Sequence, residues 1–93
     1  MPRSILTKAR FERAYHRLSE LERHAVDSAL QSFEHYLKTH QAAPGLGIKH
    51  LGRRTYEFRA GLNLRIVYLV HGEQMVLALL GTHDEVRAFL KNQ

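Results

Sequence analysis

The sequence predicts an α+β domain in which a helical hairpin packs on a small antiparallel sheet. Three observations lead there. Apolar residues in the first half recur at helical spacing. Those in the second half alternate, or run together at strand length. One break, Gln41-Ala42-Ala43-Pro44-Gly45-Leu46-Gly47, divides the two regimes. Helices gathered early and a meander late leave the hairpin to cover one sheet face. The expected order is β-α-α-β-β-β-α with three to four strands, in one domain over residues 1–93.

Residues 3–7, Arg-Ser-Ile-Leu-Thr, are a β-prone start too brief for a central strand and are expected at an edge. Phe11, Ala14, Tyr15 and Leu18 then fall at i, i+3, i+4 and i+7, one face of a short helix that Thr7 can cap. Ser19-Glu20-Leu21-Glu22 is a capping box: the Ser19 hydroxyl takes the Glu22 amide while the Glu22 carboxylate returns to the Ser19 amide. From it the stripe Val26, Leu30, Phe33 and Leu37, filled in by Ala29, carries a second helix to about His40. Beyond the break, Thr55-Tyr56-Glu57-Phe58-Arg59 alternates polar and aromatic, and Gly61-Leu62-Asn63 turns the chain. Leu64 to Val70 is β-branched and aromatic enough for a central strand, and His71-Gly72-Glu73 turns it. Met75 to Leu80 is continuously apolar, as in a strand buried on both faces. Gly81 ends that strand. Val86, Phe89 and Leu90 then repeat at i, i+3 and i+4 in a closing helix, opened by a second capping box, Thr82-His83-Asp84-Glu85.

Strand alternation places Arg65, Val67 and Leu69 on one face, and Thr55, Glu57 and Arg59 on one face. The sheet face away from the helical hairpin is expected to be free, and if Arg59 and Arg65 face the same side, the sheet presents a basic concave surface there rather than a core.

Composition narrows the function classes. The chain has 14 Lys plus Arg against 9 Asp plus Glu, a net charge of +5, and is 44% hydrophobic, so a globular body carries its basic excess on the surface. With no Cys, a disulfide scaffold and a Cys-type zinc site are excluded. The seven histidines do not repeat at ligand spacing: His24, His35 and His40 lie 11 and 5 residues apart, so no two are neighbours one turn apart on a helix face, and no His-Glu-x-x-His occurs. Neither a metal site nor a cofactor is expected. Gly45-Leu46-Gly47 lacks the Gly-Lys-Ser/Thr of a phosphate loop and reads as a linker. No apolar run approaches the roughly 18 residues of a membrane span. Ile5 and Leu6, between Arg3 and Lys8, are too few for a secretory leader, so a cytoplasmic protein without a membrane partner is expected.

Positive charge is densest in residues 42–72, which hold five basic side chains and Glu57 as the sole acid. Lys49, His50, Arg53, Arg54, Arg59 and Arg65, with His83 beyond them, bring cations and imidazoles from three strand regions. Such a set suits a polyanion whose phosphate is held and cut, and it also reads as a solvated basic edge.

Leu51-Gly52, Tyr56-Glu57-Phe58-Arg59, Gly61, Leu64-Arg65-Ile66-Val67-Tyr68, Val76 to Leu80 and Gly81-Thr82-His83 together resemble the RelE/ParE superfamily of bacterial type II toxins. The order of hairpin and meander agrees over nearly the whole chain. Within that superfamily the RelE/YafQ branch, closest in look, consists of ribosome-dependent mRNA endonucleases, whereas the ParE branch poisons DNA gyrase without a nuclease site. The resemblance implies Arg65 as the arginine that holds the scissile phosphate, His83 as the general acid and Arg59 as a further basic catalytic residue. It implies Lys49 and His50 as base or RNA contacts, with Arg53 and Arg54 beside them on RNA. The implied reaction needs no metal. A base takes the ribose 2′-hydroxyl proton, the oxygen attacks the adjacent phosphate, arginines stabilise the added negative charge, and an acid protonates the departing 5′-oxygen. The implied partners are mRNA in the ribosomal A site and a cognate antitoxin lying over Arg65 and His83. Two alternatives accompany this reading: a ParE-like toxin bound to gyrase, and a basic nucleic-acid-binding domain that has lost toxicity. Phe89 stands about where some members carry a catalytic tyrosine, and Glu57 lies on a strand that is more basic in the best-known nuclease. His83 is also the first residue of the capped helix, so catalysis and helix initiation both account for it here.

Overall fold

The computed structural model describes residues 4–92. The Met1-Pro2 start and Arg3, the expected first residue of the opening strand, lie outside them. The elements are β1 (Ser4–Thr7), α1 (Ala9–Arg17), α2 (Glu20–Thr39), β2 (Lys49–Gly52), β3 (Thr55–Ala60), β4 (Leu64–His71), β5 (Gln74–Gly81) and α3 (His83–Lys91). The five strands form one sheet in the order β1-β5-β4-β3-β2. β1 runs parallel to β5, and every other neighbouring pair is antiparallel.

The α+β class and the helical hairpin match the sequence expectation, but the sheet has one strand more than expected and is mixed. β2 was illegible because Lys49, His50 and Gly52 are exposed and Leu51 is its one apolar residue. An edge strand held by backbone pairing to β3 needs no hydrophobic period. β1 is parallel because the whole helical hairpin and three strands separate it from β5, enough chain for a crossover. β1 takes an edge and β4 the centre, as expected.

α1 and α2 cover one face of the sheet. Phe11, Val26 and Phe33 meet Phe58, Ile66, Tyr68 and Leu77 there. The Phe33 ring lies 4.5 Å from Phe58 and 4.6 Å from Tyr68, centroid to centroid. The opposite face, expected to be free, is partly covered by α3, whose Val86, Phe89 and Leu90 pack with Val67, Leu79 and Leu51. β5 is thus buried on both sides, which explains its unbroken apolar run.

Both capping boxes form. Ser19 and Glu22 exchange bonds of 2.9 and 3.1 Å, and Thr82 and Glu85 bonds of 2.9 and 3.2 Å. Thr7 does not cap α1. It stays in β1, and Lys8 takes the N-cap position without a side-chain bond. The Tyr15 hydroxyl donates to Asp27 at 2.7 Å, tying α1 to α2, and chiefly this bond raises the phenol pKa above its ordinary value. The linker is partly structured: Leu46 is buried, and its carbonyl accepts from the Arg59 amide at 2.8 Å, continuing the edge of β3. No helix among the described residues is long and apolar enough to cross a membrane.

Candidate active site

On the sheet face that carries α3, Arg59 lies opposite Arg65, Glu57 opposite both Val67 and Lys49, and Arg65 opposite Gly81. Directly opposed residues share a face, so Lys49, Glu57, Arg59 and Arg65 all start from one side. Two cations facing each other across a pair of strands repel. They diverge. Arg65 turns to Glu57, with Nη1 2.5 Å from Oε2. Arg59 runs the other way over Gly47, where an added Cβ would lie 3.3 Å from its Cδ, and lines a cleft with His24, Ser28 and Ser32 of α2. The expected basic concavity is therefore a buried carboxylate anchoring one arginine.

The Glu57 side chain is 5% exposed and that of Arg65 is 23% exposed. Burying a carboxylate is costly unless it is paired and hydrogen-bonded, and Arg65 meets that need. One N–H edge of the guanidinium goes to Glu57. The fork carries five donors, so the remainder can serve a second anion from the solvent side. Glu57 thereby fixes the orientation of Arg65.

Gly81, the partner of Arg65, ends β5, and α3 begins at His83. His83 is exposed, and its side chain has no hydrogen bond or ion pair with a described residue. Two peptide units and one strand spacing keep its Cα within about 12 Å of that of Arg65. The position of His83 depends on Gly81. A Cβ there would lie 3.0 Å from both Cβ and Oε1 of Glu85, whose carboxylate closes the cap on Thr82. Gly81→Ala should dislodge that cap and destabilise the chain by about 1 kcal/mol. Thermal melting checks it beside Gly52→Ala, where an added Cβ meets nothing within 4 Å and the melting point should hold.

The other sequence candidates are dispersed. His50 points to the inner face, its ring 4.7 Å from that of Tyr56, so the strand separates it from its neighbour Lys49. Arg53 and Arg54 form the turn between β2 and β3, about 16 Å along the strand from Arg59. Arg54 adopts φ 49°, and its carbonyl accepts from the Val70 amide at 2.8 Å. Phe89 belongs to the outer core, with the Arg10 guanidinium carbon 5.7 Å from its ring centre. Sequence reasoning missed Glu57 as the anchor of Arg65, although it is the lone acid of residues 42–72 and shares the parity of Arg59. Among the described residues, no three His, Asp or Glu side chains gather as a metal-ligand set.

No protein-family model matches the chain, and none of the curated proteins matches it. Solved structures do. A copper-bound mutant toxin from Helicobacter pylori is 19% identical, with 90% of this chain and 98% of that one covered, at TM-score 0.66. The toxin-antitoxin complex RelB-RelE from Methanococcus jannaschii gives 16% identity over 90% and 96%, at TM-score 0.66. The DinJ-YafQ complex of E. coli gives 12% identity over 90% and 97%, at TM-score 0.70. Such identities speak for architecture, and the architecture is clear: the chain shares its fold with these toxins.

Proposed function

We propose that the chain is the toxin of a type II toxin-antitoxin system and acts as a ribosome-dependent mRNA endonuclease. The observation that carries this reading is Arg65, held by Glu57 with donors to spare and in register with Gly81, two residues before the exposed His83. Arg65 holds the scissile phosphate and stabilises the negative charge that builds as the 2′-oxygen attacks. His83 gives its proton to the departing 5′-oxygen. Lys49 starts from the same side of the sheet, and in this reading it receives the 2′-hydroxyl proton, whereas His50 starts from the opposite face. The phosphorus–5′-oxygen bond breaks as the 2′-oxygen–phosphorus bond forms, leaving a 2′,3′-cyclic phosphate and a 5′-hydroxyl. Arg59 at the rim and Arg53 and Arg54 at the hairpin contact RNA farther from the cut. A cognate antitoxin would cover Arg65 and His83. Work on ribosomes places the protein in the cytoplasm.

One observation favours a second reading. Glu57 already supplies Arg65 with an anion. A protein in which that pair is purely structural would be a ParE-like toxin that binds gyrase, or a nucleic-acid-binding domain without toxicity. The test is primer extension on a defined mRNA in a translation extract, run beside a gyrase supercoiling assay. Cleavage without gyrase inhibition supports the nuclease, and on programmed ribosomes that cleavage should persist when zinc and manganese are chelated while free magnesium is held fixed. Gyrase inhibition without cleavage moves the reading to the ParE-like alternative.

A further inference from the structure

We propose that the groove between α1 and α3 is a second binding site for the sugar–phosphate backbone of RNA, distinct from Arg65 and His83. The proposal rests on the reading of the chain as an RNA endonuclease and names where the rest of the strand lies. The groove encloses about 400 Å³; its walls carry Arg10, Arg13 and Arg17 from α1 and Glu85 from α3, and its floor is Leu79-Leu80 of β5.

The three arginines fall at i, i+3 and i+7, one side of α1, while Glu12 lies on the other side with Tyr15 and Asp27. Arg13 and Arg17 are one turn apart, about 6 Å along the axis. No carboxylate of a described residue forms an ion pair with any of the three. Glu85, the acid in the wall, turns its carboxylate to the Thr82 amide at 2.9 Å. Arg10 is steadied over the Phe89 ring at 5.7 Å. Three uncompensated guanidiniums on one groove repel each other and are stabilised by an anion with repeating charge.

Continuity with the candidate site selects RNA as the occupant. The groove floor, Leu79-Leu80, leads directly into Gly81, the register partner of Arg65, and Glu85 follows His83 by two residues. A strand with its scissile phosphate on Arg65 can therefore pass over the start of α3 and lay its neighbouring phosphates along α1. The arginines anchor that strand and take no part in the chemistry.

The experiment is fluorescence anisotropy of a labelled, fully 2′-O-methylated RNA oligonucleotide, which binds without being cut, titrated at several salt concentrations. The proteins are the parent, Arg13→Gln/Arg17→Gln and Lys38→Gln, a charge at the far end of α2. The double variant should lower the log–log salt slope by about 1.4, some 0.7 for each single-strand phosphate no longer neutralised, and weaken binding at 0.1 M salt on the order of 10-fold. Its melting temperature should match the parent's, because both arginines are exposed and unpaired. Lys38→Gln should change neither slope nor affinity. A double variant that keeps the parental slope overturns the groove even where mRNA cleavage is observed. A parent that binds RNA through the groove yet cuts no mRNA upholds the groove and overturns the nuclease.

Discussion

Arg65→Ala is expected to lose both stability and cleavage, and the two losses should separate when Glu57 is changed with it. Removing Arg65 leaves the Glu57 carboxylate, 5% exposed, without its partner. Breaking a buried pair from one side costs about 3–5 kcal/mol, and the partial exposure of Arg65 points to the lower end. For a domain of this size about 3 kcal/mol lowers the melting temperature by roughly 12 °C or more. Glu57→Gln added to Arg65→Ala replaces the stranded charge by a neutral amide of the same shape and should restore most of that stability. It should not restore cleavage, which is expected to stay about 10²–10³-fold down because no guanidinium meets the transition-state charge. Thermal melts and cleavage rates on the same preparations check both. An Arg65→Ala protein as stable as the parent would show that the pair does not carry the fold. A double variant that cuts RNA normally would remove Arg65 from the chemistry.

His83→Gln is expected to do the reverse, leaving stability alone and removing activity. The His83 side chain is exposed and bonded to no described residue, and the α3 cap is made by Thr82 and Glu85, which the substitution does not touch. Glutamine keeps a polar side chain at the first turn and has no transferable proton at neutral pH. Cleavage should fall by about 10²–10⁴-fold, the range for losing a general acid, with the melting temperature unchanged. Single-turnover cleavage beside a melt reads both. Parental activity in this variant would leave His83 as a helix-opening residue alone.

The helices and the central strands were legible because their signals are local. Ser19 with Glu22 and Thr82 with Glu85 are caps written in consecutive residues, and both form. Strand alternation gave the companions of Arg59 within β3 and of Arg65 within β4, and only the register between the strands shows that the two arginines share a face. What escaped reading depends on partners distant in the chain. β2 is held by β3 and not by its own side chains. The parallel pairing of β1 depends on where the chain returns after the hairpin. Glu57 reads as an acid misplaced among cations until Arg65 is seen opposite its neighbour, after which it is what holds that arginine still. The basic cluster of the sequence was one group only in sequence: Lys49 and His50 take opposite faces, and the turn carries Arg53 and Arg54 to the far end of the sheet.

The central claim is that Arg65 and His83 cut RNA by attack of its own 2′-hydroxyl. The most direct measurement places a single 2′-deoxynucleotide immediately 5′ of the mapped cleavage position in a short mRNA on programmed ribosomes and analyses the product ends. The expected result is a 2′,3′-cyclic phosphate and a 5′-hydroxyl from the all-ribose mRNA, and no cleavage at the deoxy position. Cleavage of the deoxy mRNA at that position, or products ending in a 3′-hydroxyl and a 5′-phosphate, would contradict it.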